Sequence, residues 1–412
     1  MRKYLPLVFA FFPILNIYET GVIPALSIGQ ILLLCYFFKT CRINTFRFQF
    51  PYFVAYSTLI TILCMAKSGI SFVESVYELF SFLVFFTLYS FVLQEVDYKK
   101  LIKGLKILGY VSLLFFYLQF ILKLFGIHIV GIIPGLPLSN GSISSDFHQS
   151  RLFADRISSI FQEPAHYAEF MCMFLAILLY KFESSRKKLI LAIAISLSVI
   201  LCKSAGGYVL LLVCWVCWGW SFLKGKKNKI KYLFPAVIII CLMLPVVSQN
   251  ELIGSVLTRY QTLSFSPENS EYGYSSYTRL FRGYIPFVES SVEEMIFGHG
   301  IGTLLSFVRM NPNSMFLAVT DYDANWINSV QFILFSTGII GAVLFVSYLY
   351  KLYRISSPLG RTLVKIYILT LLSSGILLTP SSMLFLYLIY YERMSHLSEK
   401  SYPLNYNYTS VN

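Results

Sequence analysis

The sequence predicts an all-α, polytopic integral membrane protein, and three observations support this fold class. Hydrophobic residues make up 57% of the 412 residues and charged residues only 13%, with a mean hydropathy of +0.67. Runs of roughly 17–25 apolar residues recur along the chain, which is the length that spans a bilayer core. Basic residues concentrate in alternate loops between these runs. A soluble protein of this length would carry more charge.

The apolar runs predict about twelve transmembrane helices. They lie at residues 4–18, 22–38, 50–66, 70–93, 106–125, 163–180, 189–203, 206–223, 232–248, 326–350, 363–379 and 380–391. The last two runs could form one long helix, but Thr379-Pro380-Ser381-Ser382 favours a tight turn between them. The whole chain, 1–412, is therefore interpreted as a single membrane domain.

The distribution of lysine and arginine gives the predicted orientation. If the N-terminus lies inside, the inner loops and both termini carry 24 of the 33 lysine and arginine residues. This bias follows the positive-inside rule and places both termini in the cytoplasm. It also explains the net charge of +13 by topology and by attraction to membrane lipids, so no nucleic acid partner is expected. Two long segments fall outside: a shorter loop at 126–162 and a large loop at 249–325, between the ninth and tenth helices.

The two outer loops use arginine as their only basic residue besides histidine. They contain no lysine, and their arginines are Arg151, Arg156, Arg259, Arg279, Arg282 and Arg309. The planar guanidinium binds phosphate or carboxylate through two parallel hydrogen bonds and stays charged at any relevant pH. Pairing with nearby acidic residues is the alternative for each arginine taken singly. The set as a whole favours contact with a phosphate-bearing molecule.

Arg279 and Arg282 form the strongest pair in this set. Residues 277–294 are predicted to form a helix that is broken or bent near Pro286, and a spacing of three places both guanidinium groups on one face. Such a pair could clamp a diphosphate. Upstream, residues 250–263 have the apolar spacing of an amphipathic helix that rests on the membrane surface.

Residues around Glu163 lead directly into the sixth predicted helix. Pro164 in the first turn and an acidic residue just before it are typical of a helix N-terminus. Glu163 is therefore interpreted either as a helix cap or as a catalytic carboxylate at the membrane interface. His166 follows as a second residue that could accept a proton.

The third residue that could act as a base is His299, in the glycine-rich segment Phe297-Gly-His-Gly-Ile-Gly302. The glycines let the backbone approach a ligand closely, although a lone histidine is more often structural. The sequence contains no HExxH motif and no cluster of cysteine and histidine, so neither a metal nor another cofactor is expected.

Four short motifs follow one another between about residues 156 and 345. They are Arg156-Ile-Ser-Ser-Ile-Phe-Gln-Glu163-Pro164, Cys202-Lys-Ser204-Ala-Gly-Gly-Tyr208, Tyr277-Thr-Arg279 followed by Ile296-Phe-Gly298-His-Gly300-Ile-Gly302, and Asn328 followed by Gly338-Ile-Ile-Gly341. Their order, the predicted spans and the large loop resemble the O-antigen polymerase/ligase superfamily of membrane glycosyltransferases, the Wzy and WaaL types. The resemblance implies a GT-C-like bundle in the bacterial inner membrane, with the active site between the bundle and the large periplasmic loop. It also implies glycan transfer from undecaprenyl diphosphate on the periplasmic side, without nucleotide sugar or metal.

Two departures from the ligase pattern favour a polymerase. Ligase-type motifs carry a histidine immediately before the asparagine, and Ile327 stands at that position here. The arginine of the Ser204 motif is also absent. The expected function is therefore an O-antigen polymerase that joins undecaprenyl-diphosphate-linked oligosaccharide repeat units by inverting transfer. A ligase-type transferase is the alternative enzyme, and a lipid-linked oligosaccharide flippase is the alternative that is not an enzyme.

This reaction gives each singled-out residue an expected role. The catalytic candidates, which would deprotonate the acceptor hydroxyl, are Glu163, His166 and His299. The substrate-binding candidates are Arg156, Arg259, Tyr277, Arg279, Arg282 and Asn328. The expected partners are the lipid-linked donor and acceptor, membrane lipids, and a chain-length regulator and flippase of the same pathway.

Overall fold

The computed structural model describes residues 4–18, 26–41, 46–67, 69–129, 131, 156–181, 186–223, 280–318 and 327–401. Within these ranges the chain forms helices joined by turns, with no β-strand. In chain order the helices are α1 (Leu5–Ala10), α2 (Phe12–Leu15), α3 (Ile28–Thr40), α4 (Pro51–Met65), α5 (Phe72–Glu95), α6 (Tyr98–Leu124), α7 (Pro164–Lys181), α8 (Arg186–Leu201), α9 (Ala205–Leu223), a 3-10 turn (Arg282–Tyr284), α10 (Ile285–Val288), α11 (Val292–Phe297), α12 (Leu304–Met310), α13 (Met315–Ala318), α14 (Ser329–Ile355), α15 (Pro358–Ser373) and α16 (Pro380–Ser401).

Four of these helices are long and apolar enough to cross a membrane, namely α5, α6, α9 and α14. Two shorter apolar helices are α3 and α4. The prediction of an all-helical membrane protein is confirmed at this level. The predicted helix at 232–248, the predicted surface helix at 250–263 and residues 132–155 lie outside the described residues.

The first predicted span, 4–18, is not one helix. It divides at Phe11 into α1 and α2, and the second of these has Pro13 in its first turn. Proline has no N–H to donate, and its ring clashes with the carbonyl group four residues earlier, here that of Phe9. Pro13 therefore explains the break, which the hydropathy of the segment does not predict.

The fifth predicted span begins earlier than expected, and the last two spans divide as expected. α6 starts at Tyr98 rather than at residue 106, because the Asp97 side chain accepts a 3.0 Å hydrogen bond from Lys100 N and caps the helix. The predicted turn near Pro380 is confirmed, since α15 ends at Ser373 and α16 begins at Pro380.

α7 lies at the centre of the bundle and contacts α6, α8, α9 and α15. Fourteen of its 18 residues are buried, as expected for a helix that is apolar on all sides. Small residues let its neighbours approach: a Cβ on Gly207 of α9 would lie 2.6 Å from the Cβ of Ala168, and one on Gly109 of α6 would meet the ring of Phe174. This packing fixes the position of Glu163 and His166 at the start of α7.

The bundle has two ends that differ in chemistry. We call the end at which α4 ends and α5, α7 and α14 begin the loop end, because residues 280–318 pack there. At the opposite end, the basic end, Glu392 is only 1% exposed. Its carboxylate binds Lys181 Nζ at 2.9 Å and accepts hydrogen bonds from Tyr98 and Ser357. This buried group joins α6, α7, α15 and α16.

α14 is interrupted at Gly338, about 14 Å from its start. The φ of +62° and ψ of −169° at this glycine are not helical. A side chain there would be strained by the positive φ, and its Cβ would overlap the carbonyl oxygen of Ile296. The break leaves the carbonyl groups of Phe335 and Ser336 available to a partner outside the helix.

The partner is the segment 297–302, which we call the glycine turn. His299 N donates to Phe335 O at 3.0 Å, and Gly300 N donates to Ser336 O at 2.9 Å. The glycines of the turn, like Gly338, have positive φ values. Two motifs that lie about 40 residues apart in the sequence therefore meet through their backbones.

The other sides of the glycine turn contact α4 and α5. Ile301 N donates to Thr61 Oγ1 at 2.9 Å, and the Tyr56 hydroxyl donates to Phe297 O at 2.9 Å. A Cβ on Gly302 would lie 2.8 Å from Ser75 Cα. Irregular backbone inside a membrane bundle is tolerated where the surrounding protein satisfies its polar groups. The turn meets this condition, because α4 and α14 supply its partners.

We predict that Gly338→Ala lowers the thermal unfolding temperature, with a loss of about 3 kcal/mol of unfolding stability from strain and overlap. Gly219→Ala is the matched control, because no atom lies within 4 Å of a Cβ at that position of α9. Its unfolding temperature should be unchanged or higher, since alanine favours helix. Equal unfolding temperatures for Gly338→Ala and the unmodified protein in the same detergent would contradict the break.

Candidate functional site

A cavity of about 420 Å³ lies at the loop end, and we call it the loop-end cavity. It is bounded by α5, α12, the first turns of α14 and the turn between α15 and α16. Its lining residues are Val73, Glu74, Tyr77, Glu78, Gly302, Leu304, Leu305, Ile327, Ser329, Phe332, Phe335, Ser336, Gly375, Leu377 and Leu378. The lining is mainly apolar, with two carboxylates, so the cavity could hold an amphipathic molecule.

The two carboxylates lie one turn apart on α5. Glu74 Oε1 accepts a 3.0 Å hydrogen bond from Arg309 Nη1, which neutralises it at the rim. Glu78 is half-buried, about 9 Å from the start of α5. It forms no hydrogen bond or ion pair within the described part of the chain. Glu78 is thus a carboxylate inside a mainly apolar cavity, close to the glycine turn at Gly302.

Asn328 caps α14, and Ile327 beside it lines the loop-end cavity. The Asn328 side chain accepts a 2.9 Å hydrogen bond from Gln331 N and donates one to Leu372 O. Asn328 is only 1% exposed. The structure therefore gives it a role in fixing the helix start, and substrate contact by its side chain stays a prediction. The neighbouring residue, Ile327, presents an apolar side chain to the cavity.

His299 is a packed ring on the glycine turn. Its ring stacks on Phe335 with centroids 4.5 Å apart and meets the edge of Phe307 at 5.0 Å. Nε2 lies 2.6 Å from Ser290 Oγ, which also donates to Pro286 O. Both this hydrogen bond and the stacking hold the ring in place.

Burial keeps the His299 ring neutral. It lowers the pKa of His299 to about 4, and the nearby Glu294 carboxylate offsets the effect only in part. Burial would raise the pKa of Glu294, but hydrogen bonds with Lys67 and Ser291 outweigh it and hold this pKa below its usual value. A histidine with so low a pKa is a weak proton acceptor near neutral pH.

A second, smaller cavity of about 110 Å³ lies at the start of α7, where Gln162 and His166 line it. The carbonyl of Glu163 accepts the first hydrogen bond of α7, from Tyr167 N at 3.1 Å, so Glu163 occupies the helix-cap position. His166 lines the cavity together with residues of α2 and of segment 156–163. Both residues are partly accessible.

The two cavities share the turn 374–379 as a wall. Gly375 and Leu377 line the loop-end cavity, whereas Ile376 and Thr379 line the smaller one. Ser374 in this turn donates a 2.8 Å hydrogen bond to the buried carboxylate of Glu169 on α7, and its carbonyl accepts from Ser329 at the start of α14. The wall is thus fixed to the central helix and to α14.

Arg282 does not lie on the helical face that the sequence predicts. The predicted break near Pro286 is present, but the described part of the segment 277–294 is more divided than expected: it consists of a 3-10 turn, α10 and α11, because Ser291 begins a new helix with a capping box. The Arg282 guanidinium is 1% exposed, lies 3.8 Å from the centre of the Phe316 ring, and donates to Phe316 O at 3.2 Å. It stabilises the packing of α13 against this turn.

Arg156 begins the segment that leads into α7. It is half-buried, and the neighbouring Ile157 belongs to the hydrophobic core. Ser159 in this segment donates a 2.6 Å hydrogen bond to Ser112 O of α6. The segment is thus held against the bundle, and its last residues before Glu163 line the smaller cavity.

Other predicted site residues lie outside the described ranges, namely Arg259, Tyr277 and Arg279. Their substrate contacts stay predictions. Within the described ranges, no group of three or more histidine, cysteine, aspartate or glutamate residues is arranged to hold a metal ion.

Glu74 and Glu78 are not among the site residues predicted from the sequence. A signal was present, because two carboxylates four residues apart interrupt the apolar run 70–93, and ionisable residues inside a predicted span are functional candidates. Their position near the end of the span made them resemble ordinary interfacial residues. The cavity that gives them significance depends on α12 and α14, which are distant in the sequence.

Comparison of the chain with protein-family models and with curated proteins found no match. The resemblance to the O-antigen polymerase/ligase superfamily therefore rests on its four motifs and on the predicted topology.

We predict that stability falls as the pH decreases from 6.5 towards 4. The folded pKa of His299 lies near 4, below the ordinary value of 6.5, so the unfolded chain binds the proton more tightly. The stabilising contribution is fully present above pH 6.5 and is lost towards pH 4, on the order of 3 kcal/mol. Thermal unfolding should show a steeper loss in the unmodified protein than in His299→Gln. The control His166→Gln should keep the steep loss, and identical slopes in all three would contradict the assignment.

Proposed function

We propose that the protein is a polymerase that joins undecaprenyl-diphosphate-linked oligosaccharide repeat units on the periplasmic side of the bacterial inner membrane. The proposal includes a GT-C-like bundle of about twelve transmembrane helices, with both termini in the cytoplasm. The observation that carries it is the loop-end cavity, in which Glu78 faces a mainly apolar space that also contains the motif position Ile327. Such a space suits an amphipathic glycolipid.

The two adjacent cavities suit a reaction between two large lipid-linked molecules. In the proposed arrangement the acceptor glycolipid occupies the loop-end cavity and the donor lies across the turn 374–379, at the side of His166 and of the segment that begins at Arg156. The reacting atoms then meet at the rim of this turn. Holding two bulky substrates in this geometry supplies much of the catalysis, because it replaces a chance encounter by a fixed one.

The leaving group needs positive donors more than it needs an acid. Undecaprenyl diphosphate departs as an anion when the bond between its oxygen and the anomeric carbon breaks, and guanidinium groups stabilise that charge. Arg156 is the proposed donor among the described residues, with Arg259 and Arg279 as further candidates. Arg282 is buried under Phe316, so its proposed role is to position this part of the loop.

The acceptor hydroxyl attacks the anomeric carbon and must lose its proton to a base. Glu78 suits this role, because it is half-buried and has no partner in the described part of the chain. Glu163 and His166 remain candidates on the donor side. His299 suits the role less, since its pKa is near 4 and its ring is engaged by Ser290 and Phe335.

Ile327 favours a polymerase over a ligase. The ligase-type motif carries a histidine at this position, and here the position faces the cavity with an aliphatic side chain. A ligase would therefore lack its expected base in this protein. Glu78, which lines the same cavity, is a carboxylate that a polymerase could use in its place.

The position of the charged residues favours a polymerase over a flippase. Transporters bind their substrates near the middle of the membrane, at helices that are interrupted there. Glu78 and Glu74 lie within two turns of the start of α5, and the interruption of α14 at Gly338 is closed by the glycine turn. The charged site thus lies at one end of the bundle.

Deletion of the gene distinguishes the three functions by the electrophoretic pattern of the surface glycan. A polymerase mutant should show the lipid core with one repeat unit. A bare core with accumulated lipid-linked polymer would identify a ligase. Single lipid-linked units trapped on the cytoplasmic side would identify a flippase.

We predict that Glu78→Gln abolishes long glycan chains but leaves the single-repeat product and the protein level unchanged. The amide keeps the shape of the side chain and removes its ability to accept a proton. Glu293→Gln is the control, because Glu293 is exposed at the loop end and does not line the cavity. A normal chain-length ladder in Glu78→Gln cells would refute the role of Glu78 as the base.

A further inference from the structure

A third cavity, of about 400 Å³, lies at the basic end between α9, α14 and α15. We call it the basic-end cavity. Its main lining residues are Cys217, Trp220, Tyr353, Arg361, Thr362 and Lys365. It is at the opposite end of the bundle from the loop-end cavity. Its charged lining residues are basic, whereas those of the loop-end cavity are acidic. The proposed glycosyl transfer uses none of these residues.

Two cations face this cavity from one side of α15. Arg361 and Lys365 are four residues apart and so lie on the same helical face. Lys365 Nζ has a weak contact with Cys217 Sγ at 3.6 Å, and Arg361 Nη2 reaches Arg354 O at 3.5 Å. Neither cation has a carboxylate partner among the residues that the structure describes.

The lack of a carboxylate partner is not shared by Lys181. Lys181 lies at the same end and is paired with the buried carboxylate of Glu392 at 2.9 Å. α15 also begins at the cavity, where Pro358 lines the wall. The positive end of the helix dipole therefore adds to the charges of Arg361 and Lys365. The cavity attracts an anion.

One wall of the cavity continues onto an apolar surface. Trp220 is 63% exposed and Val216 is 57% exposed on α9, which is one of the helices with the length and composition of a membrane span. Lys365 lies about 10 Å along α15 from Pro358. An anion held there would thus lie next to the hydrocarbon region, which suits a head group whose acyl chains remain in the bilayer.

We propose that the basic-end cavity binds the head-group phosphate of an anionic phospholipid, with the acyl chains lying along α9. Arg361 and Lys365 bind the phosphate oxygens, and Trp220 contacts the upper part of the chains. Basic cavities between membrane helices on the cytoplasmic side recognise anionic lipids in this way. The site requires a membrane protein but does not depend on glycosyl transfer, so the two proposals can fail separately.

Trp220 provides a reporter for the experiment. The full-length protein is reconstituted into phosphatidylcholine vesicles that contain increasing fractions of dibrominated phosphatidylglycerol, and quenching of tryptophan fluorescence is measured. Dibrominated phosphatidylcholine in phosphatidylglycerol-free vesicles gives the unspecific quenching. The chain contains four tryptophans, so Trp220→Phe identifies the part of the signal that comes from the cavity.

We expect stronger quenching by brominated phosphatidylglycerol than by brominated phosphatidylcholine. In Arg361→Gln/Lys365→Gln the fraction of brominated phosphatidylglycerol needed for half-maximal quenching should rise by roughly tenfold. Lys351→Gln/Arg354→Gln is the matched control, because it removes the same charge from exposed positions that do not line the cavity. This control should behave as the unmodified protein.

Three results would overturn the proposal. The first is equal quenching by the two brominated lipids, and the second is an equal change in both double variants. The third is complete reversal of the extra quenching by millimolar inorganic phosphate, which would assign the cavity to free phosphate. If the Arg361/Lys365 variant does not fold, the comparison with Trp220→Phe decides, because the extra quenching must disappear when this reporter is removed.

Discussion

The loop end depends on one backbone constraint, which is the satisfaction of the carbonyl groups exposed where α14 breaks at Gly338. Inside a membrane bundle these groups have no water to bind, so a partner must replace the lost helical bonds. His299 and Gly300 supply it with two backbone N–H groups. This contact fixes the glycine turn between α4, α5 and α14. The glycine turn forms part of the wall of the loop-end cavity. The break at Gly338 thus requires this contact, and the contact places part of the cavity wall.

Much of the fold can be predicted from the sequence because membrane helices are strongly constrained. The apolar runs predicted α4, α5, α7 and α9 to within a few residues. Errors arose where a single residue decides a boundary: Pro13 divides the first span, and Asp97 caps α6 before its lysines. The segment 277–294 is broken as predicted, but the break falls a few residues after Pro286, because the capping box at Ser291 starts a new helix. Prolines and helix caps change where a helix starts or stops without changing the hydropathy of the segment, so hydropathy does not predict these boundaries.

The candidate site was predictable only in part. The sequence indicated the glycine turn and the motif at Asn328, but it gave no sign that they meet, because no local rule links residues 40 positions apart. Asn328 serves as a helix cap, and His299 is a neutral packed ring. Glu78 acquires its significance from a cavity built by four separate elements. Spacing along one helix can show which residues share a face, but packing decides what that face meets.

We propose that the chain alone joins lipid-linked repeat units at the loop end. The most direct measurement uses purified protein in vesicles, with undecaprenyl-diphosphate-linked repeat units as the sole substrate and with neither nucleotide sugar nor other proteins. Mass spectrometry of the glycolipids should show chains of two, three and more repeats, together with released undecaprenyl diphosphate. Repeat units that remain single while the protein stays folded would contradict the claim.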